Sequence, residues 1–326
     1  LYLRFVKGVI DASDLPLNVS RELLQKNPEI DAIKAALTKR VLDILNKLAS
    51  KESEEDQKIY ENLWREFGAV IKEGFVEETK NSEKLIKLLR FSSTQSQSSE
   101  QTRSISQYLD DTKKDQDKIY YLLADNYAAA KSNPHLEQLE KRGIEVLFFT
   151  DRIDPWMADH LPEFEGKKFQ DVGRGKIDLP KDENALDQDT INSQYEDLIK
   201  NMKKSLHDRI ESINISQRLV ESAACVVSNE QDLPPQMRRM MEASGQQMPD
   251  SKPILEINVQ HDLIETLSAT TDNDAYNSLA NTILDHALIA DGEQLQNPAE
   301  YVKRVNSLLL QTLQIKKTAK KKTAKK

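Results

Sequence analysis

Arg21 and Gln25 are the residues whose type and spacing best suit chemistry here, and that chemistry is anion binding. They close the stretch Gly8-Val9-Ile10-Asp11-Ala12-Ser13-Asp14-Leu15-Pro16-Leu17-Asn18-Val19-Ser20-Arg21-Glu22-Leu23-Leu24-Gln25. Pro16 forces Leu15 to be extended. Asn18 and Ser20 are both good helix N-caps, and the apolar, helix-favouring run after them starts at Leu23. Arg21 therefore falls in or beside the first turn of a helix, where the macrodipole disfavours a cation by roughly a few tenths of a kcal/mol. A guanidinium held there is open to an anion arriving from outside, and Gln25, one turn on, shares its face. The same spacing also fits a loop-to-helix junction whose arginine meets a nearby carboxylate.

Other reactive residue types form no comparable pattern. The five histidines (His135, His160, His207, His261 and His286) lack metal-ligand spacing with cysteine or carboxylate, and no nucleophile motif occurs. The single cysteine, Cys225, lies in the apolar run Ala223-Ala224-Cys225-Val226-Val227, which reads as a buried, inert thiol and excludes an intramolecular disulfide framework. Asp110-Asp111 and Glu54-Glu55 read as solvated charge. Gly173-Arg174-Gly175-Lys176 has neither the spacing nor the trailing Ser or Thr of a phosphate-binding loop.

The elements that must position any site are mostly helical. Of 326 residues, 38% are apolar and 31% charged, with only 9 glycines, a balance that favours a helix-rich chain with much solvated surface. Such a length suits two or three domains. No run approaches the ~18 apolar residues of a membrane span, and no signal peptide is visible, so a cytoplasmic location is expected. The net charge is −8, and the lysine-rich end Ile315–Lys326 hides a body that is −15 once its seven lysines are set aside. An acidic body repels nucleic acid, so no specific nucleic-acid partner is expected. The tail reads as a disordered, solubilising end, with a nonspecific polyanion contact as the other reading.

Periodicity predicts a helix over 29–49, a second around 59–67 and a third near 83–89, together forming a connector in which Trp64 packs. The Ser/Gln-rich stretch 91–103 reads as a loop. A helix over 106–116, a strand over 118–124, a helix over 126–140 stopping at Gly143, and a strand over 144–150 then predict a parallel, right-handed crossover unit. Periodicity is lost over 163–185, where a domain boundary is expected. Beyond it come a helix at 190–206, strands at 210–216 and 223–228 joined by a short turn, a strand at 253–258, a helix at 261–269, and two closing helices at 273–290 and 298–313.

Three surfaces could bind partners. In the first closing helix Tyr276, Leu279, Ala280, Ile283, Leu284, Ala287 and Leu288 recur at helical spacing. Tyr301, Val302, Val305, Leu308, Leu309 and Leu313 do so in the second. Such stripes suit a twofold four-helix bundle with an identical pair, or cover for their own sheet. Leu233, Met237, Met240 and Met241 fall on one helical face, either as core or as an adaptable apolar contact. Trp156 with Met157, after Asp154-Pro155, either packs or meets a partner.

The segment Ser13–Gln25 closely resembles the middle-domain signature of the ninety-kilodalton heat-shock chaperone family, bacterial HtpG type. Leu89-Arg90-Phe91-Ser92-Ser93-Thr94, Ile119-Tyr120-Tyr121-Leu122-Leu123-Ala124-Asp125, Ser132-Asn133-Pro134-His135-Leu136-Glu137, Lys141-Arg142-Gly143-Ile144-Glu145-Val146-Leu147 and Asp151-Arg152-Ile153-Asp154-Pro155-Trp156 follow in the family's order. The resemblance runs from residue 1 to about 313. It implies an α+β, helix-rich fold with layered α/β middle-domain segments, a helical connector and an α+β C-terminal dimerisation domain. The boundaries expected are a partial middle domain over 1–170 (1–50, 51–90 and 91–170), a linker over 171–188, a dimerisation domain over 189–313 and a lysine-rich tail over 314–326.

The resemblance further implies an ATP-driven chaperone of the stress response. In it Arg21 and Gln25 contact the terminal phosphate of ATP, held with Mg by a preceding domain, so the chain is expected to be a fragment with no cofactor of its own. It implies client contacts at Trp156 and Met157 and at Leu233, Met237, Met240 and Met241. Pro155 stands where bacterial members often carry an acidic residue. Homodimerisation is expected through Leu279, Ile283, Leu284, Leu288, Val305, Leu308 and Leu309. A nucleotide-independent dimeric scaffold or holdase is the alternative function.

Overall fold

The computed structural model describes residues 1–11, 28–50, 53–78, 80–113, 116–177, 193–246 and 251–323, with side chains described to residue 310. They form two compact units, Leu1–Tyr127 with Ile144–Asp171, and Ala128–Gly143 with Val172–Lys326.

The first unit begins with helices α1 (Pro28–Ala49), α2 (Glu54–Lys72), α3 (Gly74–Glu77) and α4 (Ser82–Leu88). Acidic Glu29 and Asp31 open α1 and Lys47 lies in its last turn, as the macrodipole prefers. Ser53 caps α2 by accepting from the Asp56 N–H, and α2 buries Tyr60, Trp64, Ile71 and Lys72 along one face. The helix is longer at both ends than 59–67, and at the N-terminal end its charged first turn is recruited by that cap. Carbonyls at the C-terminal ends of α1 and α4 converge on Arg90, which donates to Ala49 O and Leu89 O at 2.9 Å each. Its guanidinium lies 4.6 Å from the Tyr60 ring centre. Two negative helix ends thus hold one buried cation.

Strands β1 (Arg90–Ser93), β2 (Arg103–Ser104), β3 (Lys118–Leu123), β4 (Leu147–Phe149) and β5 (Lys168–Asp171) form a sheet of order β2-β1-β4-β3-β5. β1 is antiparallel to β2 and β4, whereas β3 is parallel to β4 and β5. Helix α5 (Ile105–Asp110) enters through a capping box between Ser104 and Gln107 and ends well short of residue 116. The parallel pairing of β3 with β4 agrees with the crossover read from sequence. The loop expected over 91–103 is corrected: Phe91–Ser93 is a fully buried strand, with the Ser93 hydroxyl bonded to Glu145 at 2.6 Å. Residues 168–171, placed in the aperiodic stretch, are also a strand. Phe91, Phe149 and Tyr121 stack with ring centres 4.3 and 4.4 Å apart, and the core gathers around them.

The second unit contains α6 (Tyr127–Lys131, whose first residue belongs to the first unit), a 3₁₀ turn over Pro134–Leu136, and α7 (Glu137–Lys141). The single helix expected over 126–140 is therefore broken. Pro134 cannot continue it, and Asn133 caps the next turn by accepting from the His135 N–H. Gly143, at φ 66°, ends α7 in the left-handed region. Then come α9 (Glu196–Leu206, taking α8 for Asp154–Ala158 of the first unit), β6 (Ile213–Ile215), β7 (Ala224–Val227), α10 (Pro235–Ala243), β8 (Ile254–Ile257), α11 (Asp262–Ala269), α12 (Asn273–Ala290) and α13 (Pro298–Thr323).

The strand order is β6-β8-β7: β8 lies between the other two, parallel to β6 and antiparallel to β7. Helix α12 packs on β7 and on α9. The core combines Met202, Leu206, Val226, Leu255, Ile257 and Leu284. Helix α13 runs past Leu313 to Thr323. Together the units give a helix-rich α+β chain with two small sheets. No helix among the described residues is long and apolar enough to cross a membrane.

Candidate functional surfaces

Arg21 and Gln25 lie outside the described residues; α1 starts at Pro28. The surfaces that can be built from side chains are the α8 turn, the methionine helix and the closing helices.

In the first unit, Asp154 opens α8, with Pro155 at its first turn, where a missing N–H costs nothing. The Asp154 and Lys72 side chains are both 0% exposed, and the ammonium sits 2.9 Å from Asp154 and 2.6 Å from Asp151. Asp154 Oδ2 also accepts the Asp151 N–H at 2.9 Å, closing the turn before the helix. Lys72 Nζ lies 4.7 Å from the Phe91 ring centre and 5.9 Å from that of Trp64. The indole N–H of Trp64 donates to Gln101 at 3.0 Å, and Gln101 donates to Asp151 at 3.2 Å. A polar chain thus runs from Trp64 through Gln101, Asp151 and Lys72 to Asp154.

One ammonium faces two carboxylates. Burial disfavours both acids, yet the charge and hydrogen bond of Lys72 hold Asp151 below the usual carboxylate range. For Asp154 burial wins over the attraction of Lys72, and its carboxyl is pushed up to about 6. Burial pulls Lys72 down, but attraction to Asp154 and Asp151 outweighs it and the ammonium is raised above its ordinary value.

This network frames the sequence-derived client residues. Trp156 is half-buried, and His160 Nδ1 hydrogen-bonds its carbonyl at 2.8 Å. Met157, expected among the client contacts, is instead 0% exposed and belongs to the core that also holds Phe75, so it anchors α8.

On α10, Met237 is also buried, which corrects its place among surface residues, while Leu233, Met240 and Met241 are half-buried. The helix is tied down, not detached, since Arg239 donates to the Gly292 carbonyl beyond α12.

The closing helices divide the residues expected at a dimer interface. Ile283 and Leu284, 2% and 0% exposed, belong to the core of their own unit, and Leu279 and Leu288 pack half-buried against it. That part of the stripe covers its own core, because α12 lies directly on β7. On α13, Val305 and Leu308 are half-buried, and Leu309 is 57% exposed alongside Val302 and Leu310. The edge-on contact of His286 with Tyr301 and the paired Asp285 and Arg304 join the two helices.

Sequence reasoning missed the buried ions. Arg218 is 3% exposed and grips Glu256 through Nε at 3.0 Å and Nη2 at 3.1 Å. It also donates to the carbonyls of Val172 at 2.6 Å and Gly175 at 2.8 Å, and contacts His135 Nδ1 at 3.3 Å. The Gly173–Lys176 stretch is thus backbone pairing: Gly175 donates to the Ser228 carbonyl, and at φ 61° a Cβ there would fall 2.4 Å from Glu230. Nearby, Glu137 accepts N–H bonds from Val220, Glu221 and Ser222. Burial opposes its charge, but bonds from Ser222, Val220 and Glu221 prevail and hold the carboxyl below its usual range. Cys225 is buried, with its thiol pushed well up by that burial.

A family model described as Hsp90 protein matches residues 1–326, and the chain belongs to the Hsp90 family. Among its relatives, a protein named Chaperone protein HtpG from Legionella pneumophila (strain Paris) is 47% identical over 309 residues, covering 95% of this chain and 49% of the relative. Its namesake from strain Lens is 46% identical with the same coverage. The chain therefore spans about half the length of the curated relatives it matches.

Proposed function

We infer that the chain is the client-handling and dimerising part of an ATP-driven molecular chaperone of the cytoplasm, serving protein folding in the stress response. The observation that carries this reading is the family match along the whole chain, at close to half identity with chaperones. In the longer protein, Arg21 and Gln25 reach the terminal phosphate of ATP held by a nucleotide-binding domain. Both residues lie outside the described region.

Client contact is assigned to exposed parts of Trp156, Leu233, Met240 and Met241, with Met157 and Met237 supporting them from below. Homodimerisation is assigned to Val302, Val305, Leu308, Leu309 and Leu310 of α13, with Leu279 and Leu288 flanking and Ile283 and Leu284 backing them from the core. The row on α13 supports this, since adjacent apolar side chains there remain open to a second copy.

The test is Arg21→Ala in the longer protein, which lowers ATP turnover about tenfold or more while folding and dimerisation persist. Unchanged turnover removes the arginine from the mechanism. Aggregation suppression that ignores both nucleotide and the substitution would favour a nucleotide-independent dimeric holdase.

A further inference from the structure

Helix α8 is five residues long, a single turn and a little more, and so short a helix cannot fix its own direction in water. Its placement must come from tertiary contacts. Met157, with Ala158 packed against the same core and Pro155 buried beside it, supplies an apolar anchor, but apolar packing is non-directional and leaves the turn free to pivot. The second anchor is ionic and comes from α2: the buried Lys72 ammonium holds both Asp151, ahead of the turn, and Asp154, at its first residue. Packing does not demand a charge there. Between Phe91 and Trp64 an apolar side chain of similar volume would fill the space, and buried ion triads are often no more stable than their apolar replacements. What the triad supplies, and an apolar filling does not, is a defined direction for the turn at its middle.

We propose that Lys72 is a positioning residue for the Trp156 surface, fixing through Asp151 and Asp154 the turn from which α8 presents its tryptophan. The inference deepens the client-contact reading of Trp156 and rests on it for its functional consequence only; the placement itself stands on geometry. Gln101 extends the support by joining Asp151 to Trp64.

The experiment uses the full chain labelled with 5-fluorotryptophan, whose two tryptophans give two ¹⁹F resonances, that of Trp156 being assigned with Trp156→Phe. Client affinity is read by anisotropy with a fluorescein-labelled, reduced and carboxymethylated α-lactalbumin. The triple variant Lys72→Met, Asp151→Asn, Asp154→Asn removes every charge of the triad together and leaves none uncompensated. Asp154→Asn alone keeps a balanced Lys72–Asp151 pair and serves if the triple variant does not fold. The expected result is a shifted or broadened Trp156 resonance in either variant, with client affinity about tenfold weaker in the triple variant and in Trp156→Ala. A Trp156 resonance that stays in place in every folded variant overturns the proposal. A moved resonance with client affinity unchanged, both there and in Trp156→Ala, upholds the positioning role and overturns the client reading of Trp156.

Discussion

Asp285 of α12 receives Arg304 of α13 on one carboxylate oxygen and Arg209 on the other, with its own side chain 3% exposed. This one carboxylate fastens the last helix to the domain and the 3₁₀ turn His207–Arg209, just after α9, to the same point. Removing it leaves two guanidiniums facing each other. Asp285→Ala is expected to cost about 2 kcal/mol, toward the lower side for a broken buried pair because both arginines retain some water. The urea midpoint of the second unit, followed by circular dichroism, checks this.

The closing helices are separable by substitution. Leu284→Ala, in the core, is expected to destabilise by about 2–5 kcal/mol through the cavity it leaves. Leu309→Glu, at an exposed site, is expected to leave the unfolding midpoint near its original value and, on the proposed dimerisation through α13, to sediment as a monomer. Dimers that persist with Leu309→Glu and Val302→Glu combined would remove α13 from the interface.

Gly68 on α2 faces the Trp64 ring so closely that a Cβ there would lie 2.7 Å from the indole. Gly68→Ala normally gains helix propensity, about 1 kcal/mol. Here the buried ring must shift, and a net loss of about 1–3 kcal/mol is expected from overpacking. Differential scanning calorimetry decides the sign.

The Asp154 carboxyl titrates near 6 when folded and from the ordinary 3.8 when unfolded. Between those values the folded chain binds the extra proton, so this group's contribution is fully present below 3.8 and fades as pH rises through 6. Asp154→Asn cannot titrate. The variant should therefore gain stability relative to the parent between pH 4 and pH 7, read as the difference in thermal midpoints. A constant difference across that range would show that Asp154 does not take up the proton.

Legibility followed the kind of signal each element sends. The amphipathic repeats of α1 and α12 gave their helices nearly to the residue, because burial on one face writes itself into the order of apolar side chains. Strand β1 was hidden by Ser92 and Ser93, whose hydroxyls sit in the interior of a sheet where sequence pattern expects carbon. The break at Pro134 is written in Asn133-Pro134, but the apolar period running across it masks the break. The central place of β8 could not be read at all, since strand order depends on pairing between distant segments. Lys72 and Arg218 looked like any surface charge, because a charged residue carries no mark of its burial; only the carboxylates brought to them by the fold reveal it. Which of the residues expected to meet clients point outward is not written in the sequence either, as the burial of Met157 and Met237 shows.

The connection from β3 to β4 leaves the first unit at Tyr127 and returns at Ile144, lending Ala128–Gly143 to the second. The covalent thread therefore crosses the border three times, not once. A first half ending at Asp171 and made alone is not self-sufficient: it carries a segment whose His135 and Glu137 lack Arg218 and the Val220–Ser222 amides, while the second half made alone lacks the piece that satisfied them. Clean dissection of this protein requires a permuted or co-expressed partner strand, and a single protease nick at the apparent border should leave the two parts still held together.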